Sequence, residues 1–177
     1  MKEVQVLDKV FRELISEEDI DKRVAEIAEK INKDYYGREV VFLGILNGAF
    51  LFAAELFKKI NLKAKISFVK LASYEGTSST GTVRELIGWN EDIKGAAIII
   101  IEDIVDTGNT LERIIGELSI RKAGEVKVAT LLLKPDAYKK DIPVDYVGFN
   151  IPNDFVIGYG LDYSGYGRNL PALYLKV

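Results

Sequence analysis

The chain has 177 residues, enough for one domain with a sizeable core, and carries a net charge of −3 with 48% hydrophobic and 29% charged residues. That mild acidity gives no reason to expect nucleic acid or a membrane surface as a partner. With no cysteine and no histidine, disulfides, thiolate chemistry, an imidazole base and Cys/His zinc sites are excluded. Catalysis must rest on carboxylates, Lys, Arg, Tyr, hydroxyls, backbone amides and an oxygen-liganded ion such as Mg²⁺.

The opening stretch Met1–Val10 holds no apolar segment of signal-peptide type, so a cytoplasmic protein is expected. Ser16 followed by Glu17, Glu18 and Asp19 has the form of a helix cap with acids in the first turn. Ile20, Val24, Ile27 and Ile31 then recur at helical spacing, and Gly37 supplies the stop. Glu39–Leu46 is a predicted strand, Asn47-Gly48 a turn, and Ala49–Lys59 a helix. The greasy run Val40–Phe57 approaches membrane-span length, but Asn47, Glu55 and two glycines favour strand–turn–helix over a membrane span. Ala64–Ser73 suits a strand, Tyr74–Thr82 a polar loop without periodicity, and Val83–Ile87 the returning strand of a hairpin.

The most informative segment is A-A-I-I-I-I-E-D-I-V-D-T-G-N-T-L at Ala96–Leu111. A buried strand delivers Glu102 and Asp103; Asp106 opens a turn of small residues; and Leu111, Ile114, Ile115 and Leu118 then mark one face of a helix. Such a turn at a helix N-terminus is an anion site, because free amides and the helix dipole converge there. The acids just upstream would repel that anion, so they fit a diol, a magnesium ion or a transferable proton on the same ligand. Together these features point to a sugar phosphate. Val126–Leu133 is a further strand, ending at Lys134-Pro135, and the tail from Val144 alternates short apolar runs with Gly, Asn, Asp and Tyr. Alternating strands and helices imply an α/β fold with a mainly parallel sheet, whose ligands sit at the carboxyl ends of the strands.

The string I-I-I-I-E-D-I-V-D-T-G-N-T-L matches the phosphoribosyl-diphosphate motif of the type I phosphoribosyltransferases, and in detail it resembles their hypoxanthine-guanine branch. The resemblance runs from about Val10 to Leu170. It implies a single domain over residues 1–177, with a core of about residues 10–150 and a hood of about residues 151–177 joined by N-terminal residues. The amides and hydroxyls of Thr107, Gly108, Asn109 and Thr110 would cradle a ribose 5′-phosphate, and Glu102 and Asp103 would hold the ribose hydroxyls; they point to opposite faces of their strand, so one of them would act through water or metal. Asp106 takes the position beside N7 of the purine, as proton acceptor.

L-N-G-A-F at Leu46–Phe50 stands where the family has its pyrophosphate loop, usually L-K-G-G. In that loop the peptide before the glycine can be cis; here Asn47 replaces the usual basic residue beside Gly48, and an ordinary Asn-Gly turn is the plainer alternative. Ser73 and Tyr74 would hinge the family's mobile loop, whose plainer alternative is a hairpin tip. Lys134 matches the lysine that contacts the purine 6-oxo group, although a lysine at a strand end also suits solvated surface. In the tail, Phe155 would stack on the base and Val156 would offer it backbone groups. Asp162, with Glu102 and Asp103, would serve the Mg²⁺, and Arg168 would contact pyrophosphate.

The resemblance thus implies purine salvage: ribose 5-phosphate passes from 5-phosphoribosyl diphosphate to hypoxanthine or guanine, in a homodimer or homotetramer. A xanthine-preferring enzyme and a nucleotide-sensing regulator on the same fold are the alternatives.

Overall fold

The computed structural model describes residues 2–71, 85–87 and 93–177. The chain begins with an antiparallel hairpin of β1 (Glu3–Val6) and β2 (Lys9–Ile15). Its turn runs through Leu7 at φ 54°. No element was expected here, because a hairpin turn is normally signalled by glycine or asparagine at positive φ and this one uses leucine. α1 (Glu17–Asp34) follows, and its cap is as read: the Asp19 N–H donates to Ser16 Oγ at 3.1 Å. Ile20, Val24, Ile27 and Ile31 form its buried stripe.

β3 (Glu39–Leu46) has the expected limits, and α2 (Phe50–Lys58) is one residue shorter at each end than expected. The greasy run is therefore strand, turn and helix, and no described helix is long and apolar enough to cross a membrane. β4 (Lys63–Leu71) pairs antiparallel with β5 (Glu85–Ile87), the expected returning strand. Ser73, Tyr74 and the Tyr74–Thr82 loop lie outside the described residues. Next come β6 (Ala97–Val105), α3 (Asn109–Ile120), β7 (Val126–Leu133) and β8 (Tyr146–Asn150), then the short β9 (Val156–Ile157) and β10 (Leu173–Lys176).

Six strands form one sheet in the order β5-β4-β3-β6-β7-β8, parallel except for the edge strand β5. Alternate residues of the inner strands enter two cores. Val40, Phe42, Ile99 and Ile101 pack with α1 and α2 on one face. Val41, Leu43, Ile98 and Ile100 pack with Leu111, Ile114 and Leu118 of α3 on the other. Strands covered on both faces are continuous apolar runs, which is why β3, β6 and β7 were easy to read. Each of Ile98, Ile99, Ile100 and Ile101 is essentially fully buried, contributing roughly 1.5–3 kcal/mol by removal from water.

The chain leaves β3 through α2 for β4 on one side, and β6 continues through α3 to β7 on the other. The strand order therefore switches direction between β3 and β6, which places a crevice at their carboxyl ends. A second, four-stranded sheet, β1-β2-β10-β9, joins the two ends of the chain over Phe11, Ile157, Ala172 and Tyr174.

Candidate active site

The crevice is a cavity of about 610 Å³. Its walls come from three stretches: the end of β3 with Asn47 and Gly48, the end of β6 with the Glu102–Thr110 segment, and Asp162 and Arg168 of the tail. The floor is the N-terminus of α3. Gly108 stands before it at φ 84°, and no side chain caps the helix. α1 closes its own first turn through Ser16, whereas α3 leaves its first amides without an intrahelical partner and facing the cavity. Thr107, Gly108, Asn109 and Thr110, where an anion site was expected, all line the cavity.

Glu102 and Asp103 leave β6 on opposite faces. Glu102 is only 5% exposed, and burial, reinforced by the neighbouring Asp103, pushes its carboxyl well above the usual range. Burial also pushes Asp103 up to about 6. The Ile104 amide, which donates to Asp103 Oδ1 at 2.9 Å, and the Arg168 guanidinium act against that rise, while Asp162 adds to it. Asp103 lies hard against the turn after β3: a Cβ on Gly48 would fall 1.5 Å from Asp103 Oδ2. That turn contains a cis peptide at Leu46–Asn47, one bond before the position expected.

Asp106 stands half exposed on the rim and accepts a 3.1 Å hydrogen bond from Lys134 Nζ. Lys134 sits at the end of β7, where its N–H donates to the Val105 carbonyl at 3.0 Å. It is 8% exposed, so the solvated alternative for this lysine is excluded. It reaches the site through Asp106 and is not itself in the cavity wall.

The tail is tied to the site from the opposite side. Arg168 Nη2 meets Asp162 Oδ1 at 2.5 Å, and Nη1 donates to the Gly160 carbonyl at 2.6 Å. The Gly165 N–H donates to Asp162 Oδ2 at 2.6 Å. Gly160 rests on the Gly48 carbonyl, 2.0 Å from where its Cβ would lie.

Phe155 and Val156 are not in the cavity wall. Val156 is buried in β9, paired with Leu175 of β10. Phe155 is 45% exposed and packs against Phe11 and, edge-on, Tyr163. Arg113 of α3 lines the cavity and had no expected role; in the sequence it is simply a charge on the polar face of an amphipathic helix. Its place one turn after the D-T-G-N-T string was the only signal available.

The all-oxygen donor set of Glu102, Asp103 and Asp162, which line the same cavity, suits Mg²⁺. No group of three carboxylates among the described residues is close enough to hold an ion unaided. Mg²⁺ here would therefore complete its sphere with waters and substrate oxygens, as it commonly does.

A family model described as a phosphoribosyl transferase domain matches residues 13–164. The chain is 43% identical over 159 residues to a hypoxanthine-guanine phosphoribosyltransferase of Streptococcus pyogenes, covering 89% of this chain and 88% of that one. A solved hypoxanthine-guanine phosphoribosyltransferase from Bacillus anthracis superposes with TM-score 0.88 at 38% identity, over 96% of this chain and 98% of that one. A hypoxanthine phosphoribosyltransferase from Staphylococcus aureus gives 0.87 at 41% identity, over 94% and 91%. Sequence and fold thus agree, and the chain belongs to the type I phosphoribosyltransferases, in their hypoxanthine-guanine family.

Proposed function

We propose that this protein transfers ribose 5-phosphate from 5-phosphoribosyl diphosphate to N9 of hypoxanthine or guanine, giving IMP or GMP and pyrophosphate in purine salvage. The observation that carries this is one cavity lined both by the uncapped N-terminus of α3 and by the Asn47-Gly48 turn with Arg168, which suit anions of different kinds. A substrate with a phosphate at one end and a diphosphate at the other spans such a cavity, with its sugar over Glu102 and Asp103.

In the reaction the bond from C1′ to the diphosphate oxygen breaks, the bond from C1′ to N9 forms, and the purine proton leaves to a base. Positive charge develops on the sugar and negative charge on the diphosphate. The amides of Asn47-Gly48 and the guanidinium of Arg168 stabilise the departing anion. Mg²⁺, when bound, neutralises part of the diphosphate charge, with Asp162, Glu102 and Asp103 as its protein oxygen donors. Asp106 accepts the purine proton and Lys134 donates to the 6-oxo group, so the ion pair they form without substrate opens toward the base. A cationic donor at that position favours a 6-oxo over a 6-amino purine.

The half-exposed ring of Phe155 stacks on the base, and Val156 offers backbone groups to its edge. Ser73 and Tyr74 begin the segment that excludes water from the reacting sugar. In the same reading the protein works in the cytoplasm, without nucleic-acid or membrane partners, as a homodimer or homotetramer.

The test is incubation with 5-phosphoribosyl diphosphate, Mg²⁺ and each purine. Hypoxanthine or guanine should release pyrophosphate in step with IMP or GMP. Release only with xanthine or adenine, or with no purine, overturns the proposal.

A further inference from the structure

We propose that Arg113 is a further substrate-binding residue, contacting the 5′-phosphate of the nucleotide. This rests on the ribose-phosphate site set out above and adds a residue to it. Arg113 is the fifth residue of α3 and lines the cavity beside the Thr107–Thr110 turn. Helical Cα–Cβ bonds tilt toward the N-terminus, so a long side chain one turn in reaches back over the amides that begin the helix.

Its charge is also uncommitted. Neighbouring Glu112 is held by Lys140 at 2.6 Å, Asp106 by Lys134 and Arg168 by Asp162, whereas Arg113 makes no ion pair or hydrogen bond with any described residue. The surrounding wall needs such a cation. Glu102, Asp103, Asp106 and Asp162 all line the same cavity, and Asn47 and Asn109 at its two lips are neutral. A polyanionic substrate entering there meets one engaged guanidinium, Arg168, on the diphosphate side. On the phosphate side it meets one guanidinium, Arg113, that no described residue pairs. A fork of N–H donors held by a rigid helix suits a phosphate oxygen pair.

The test compares GMP, guanosine and pyrophosphate binding by calorimetry in the native chain, Arg113→Met and Arg113→Lys. Arg113→Met should weaken GMP binding on the order of tenfold while leaving guanosine and pyrophosphate unchanged. Arg113→Lys should keep part of the affinity, and the salt dependence of GMP binding should flatten in Arg113→Met. Equal losses for GMP and guanosine would make Arg113 a merely structural residue and overturn the proposal. So would a loss confined to pyrophosphate, or unchanged GMP affinity. A native chain that binds neither GMP nor pyrophosphate would instead overturn the underlying function.

Discussion

Gly160 is where the tail touches the turn after β3, and Gly160→Ala separates the two. The residue has φ +101°, and its new Cβ would lie 2.0 Å from the Gly48 carbonyl oxygen, a backbone atom. Real Cβ atoms essentially never approach within 3.0 Å, so the gap must open by about 1 Å. Neither side yields easily. Gly48 is backed by the half-buried Asp103, and the Gly160 carbonyl is held by Arg168 at 2.6 Å. Left-handed backbone in an L-residue costs about 1–2 kcal/mol, and overpacking of this kind costs about 1–3 kcal/mol. A total of roughly 3 kcal/mol lowers the melting temperature by about 6–12 °C in a chain of this length.

The functional loss should be larger, because a displacement of about 1 Å at a positioning contact can cost around 100-fold. Thermal unfolding and steady-state kinetics with varied 5-phosphoribosyl diphosphate measure both effects. kcat/KM should fall about 100-fold while GMP affinity, which does not need the diphosphate side, changes little. A variant with native melting temperature and native kcat/KM would refute the reasoning.

Lys134→Met should raise the KM for the purine roughly tenfold and leave that for 5-phosphoribosyl diphosphate nearly unchanged, as two-substrate kinetics will report; equal losses would argue against a base-reading lysine. The Tyr35 hydroxyl is buried and in hydrogen-bonding geometry with no described group, so Tyr35→Phe should stabilise the fold by about 1 kcal/mol at neutral pH. Burial, aided by the nearby Glu125 carboxylate, pushes the Tyr35 phenol up to about 12 from an ordinary 10.0. Its folded value lies above its unfolded one, so the native chain keeps its full stability below pH 10 and loses up to about 2–3 kcal/mol from this group by pH 12. Denaturant curves for the native chain and Tyr35→Phe should therefore diverge above pH 10; curves that stay parallel would contradict the assignment.

The central strands and the turn before α3 were legible because each is a local pattern. Continuous apolar runs bury both faces of β3, β6 and β7, and D-T-G-N-T names its own turn. Features that depend on distant parts of the chain were not legible. The β1–β2 hairpin turns on Leu7, which carries no turn signal. β9 has only two residues and is held by its pairing with Tyr174 and Leu175. The cis bond lies one residue from its expected place because backbone geometry at Leu46–Asn47 leaves no mark in side-chain identity. Arg113 carried no distinguishing signal in the sequence beyond its place after D-T-G-N-T, and the fold places it in the cavity wall. Lys134 was placed by resemblance, and only the structure brings it to Asp106, 28 residues earlier.

In the proposed division of labour among the three acids, the purine proton goes to Asp106. Asp106→Ala, assayed with saturating hypoxanthine, 5-phosphoribosyl diphosphate and Mg²⁺, tests it most directly. Turnover should fall by roughly 100-fold or more, while the dissociation constant of 5-phosphoribosyl diphosphate stays within about threefold of native. Unchanged turnover would contradict the assignment, as would a loss explained wholly by weaker diphosphate binding.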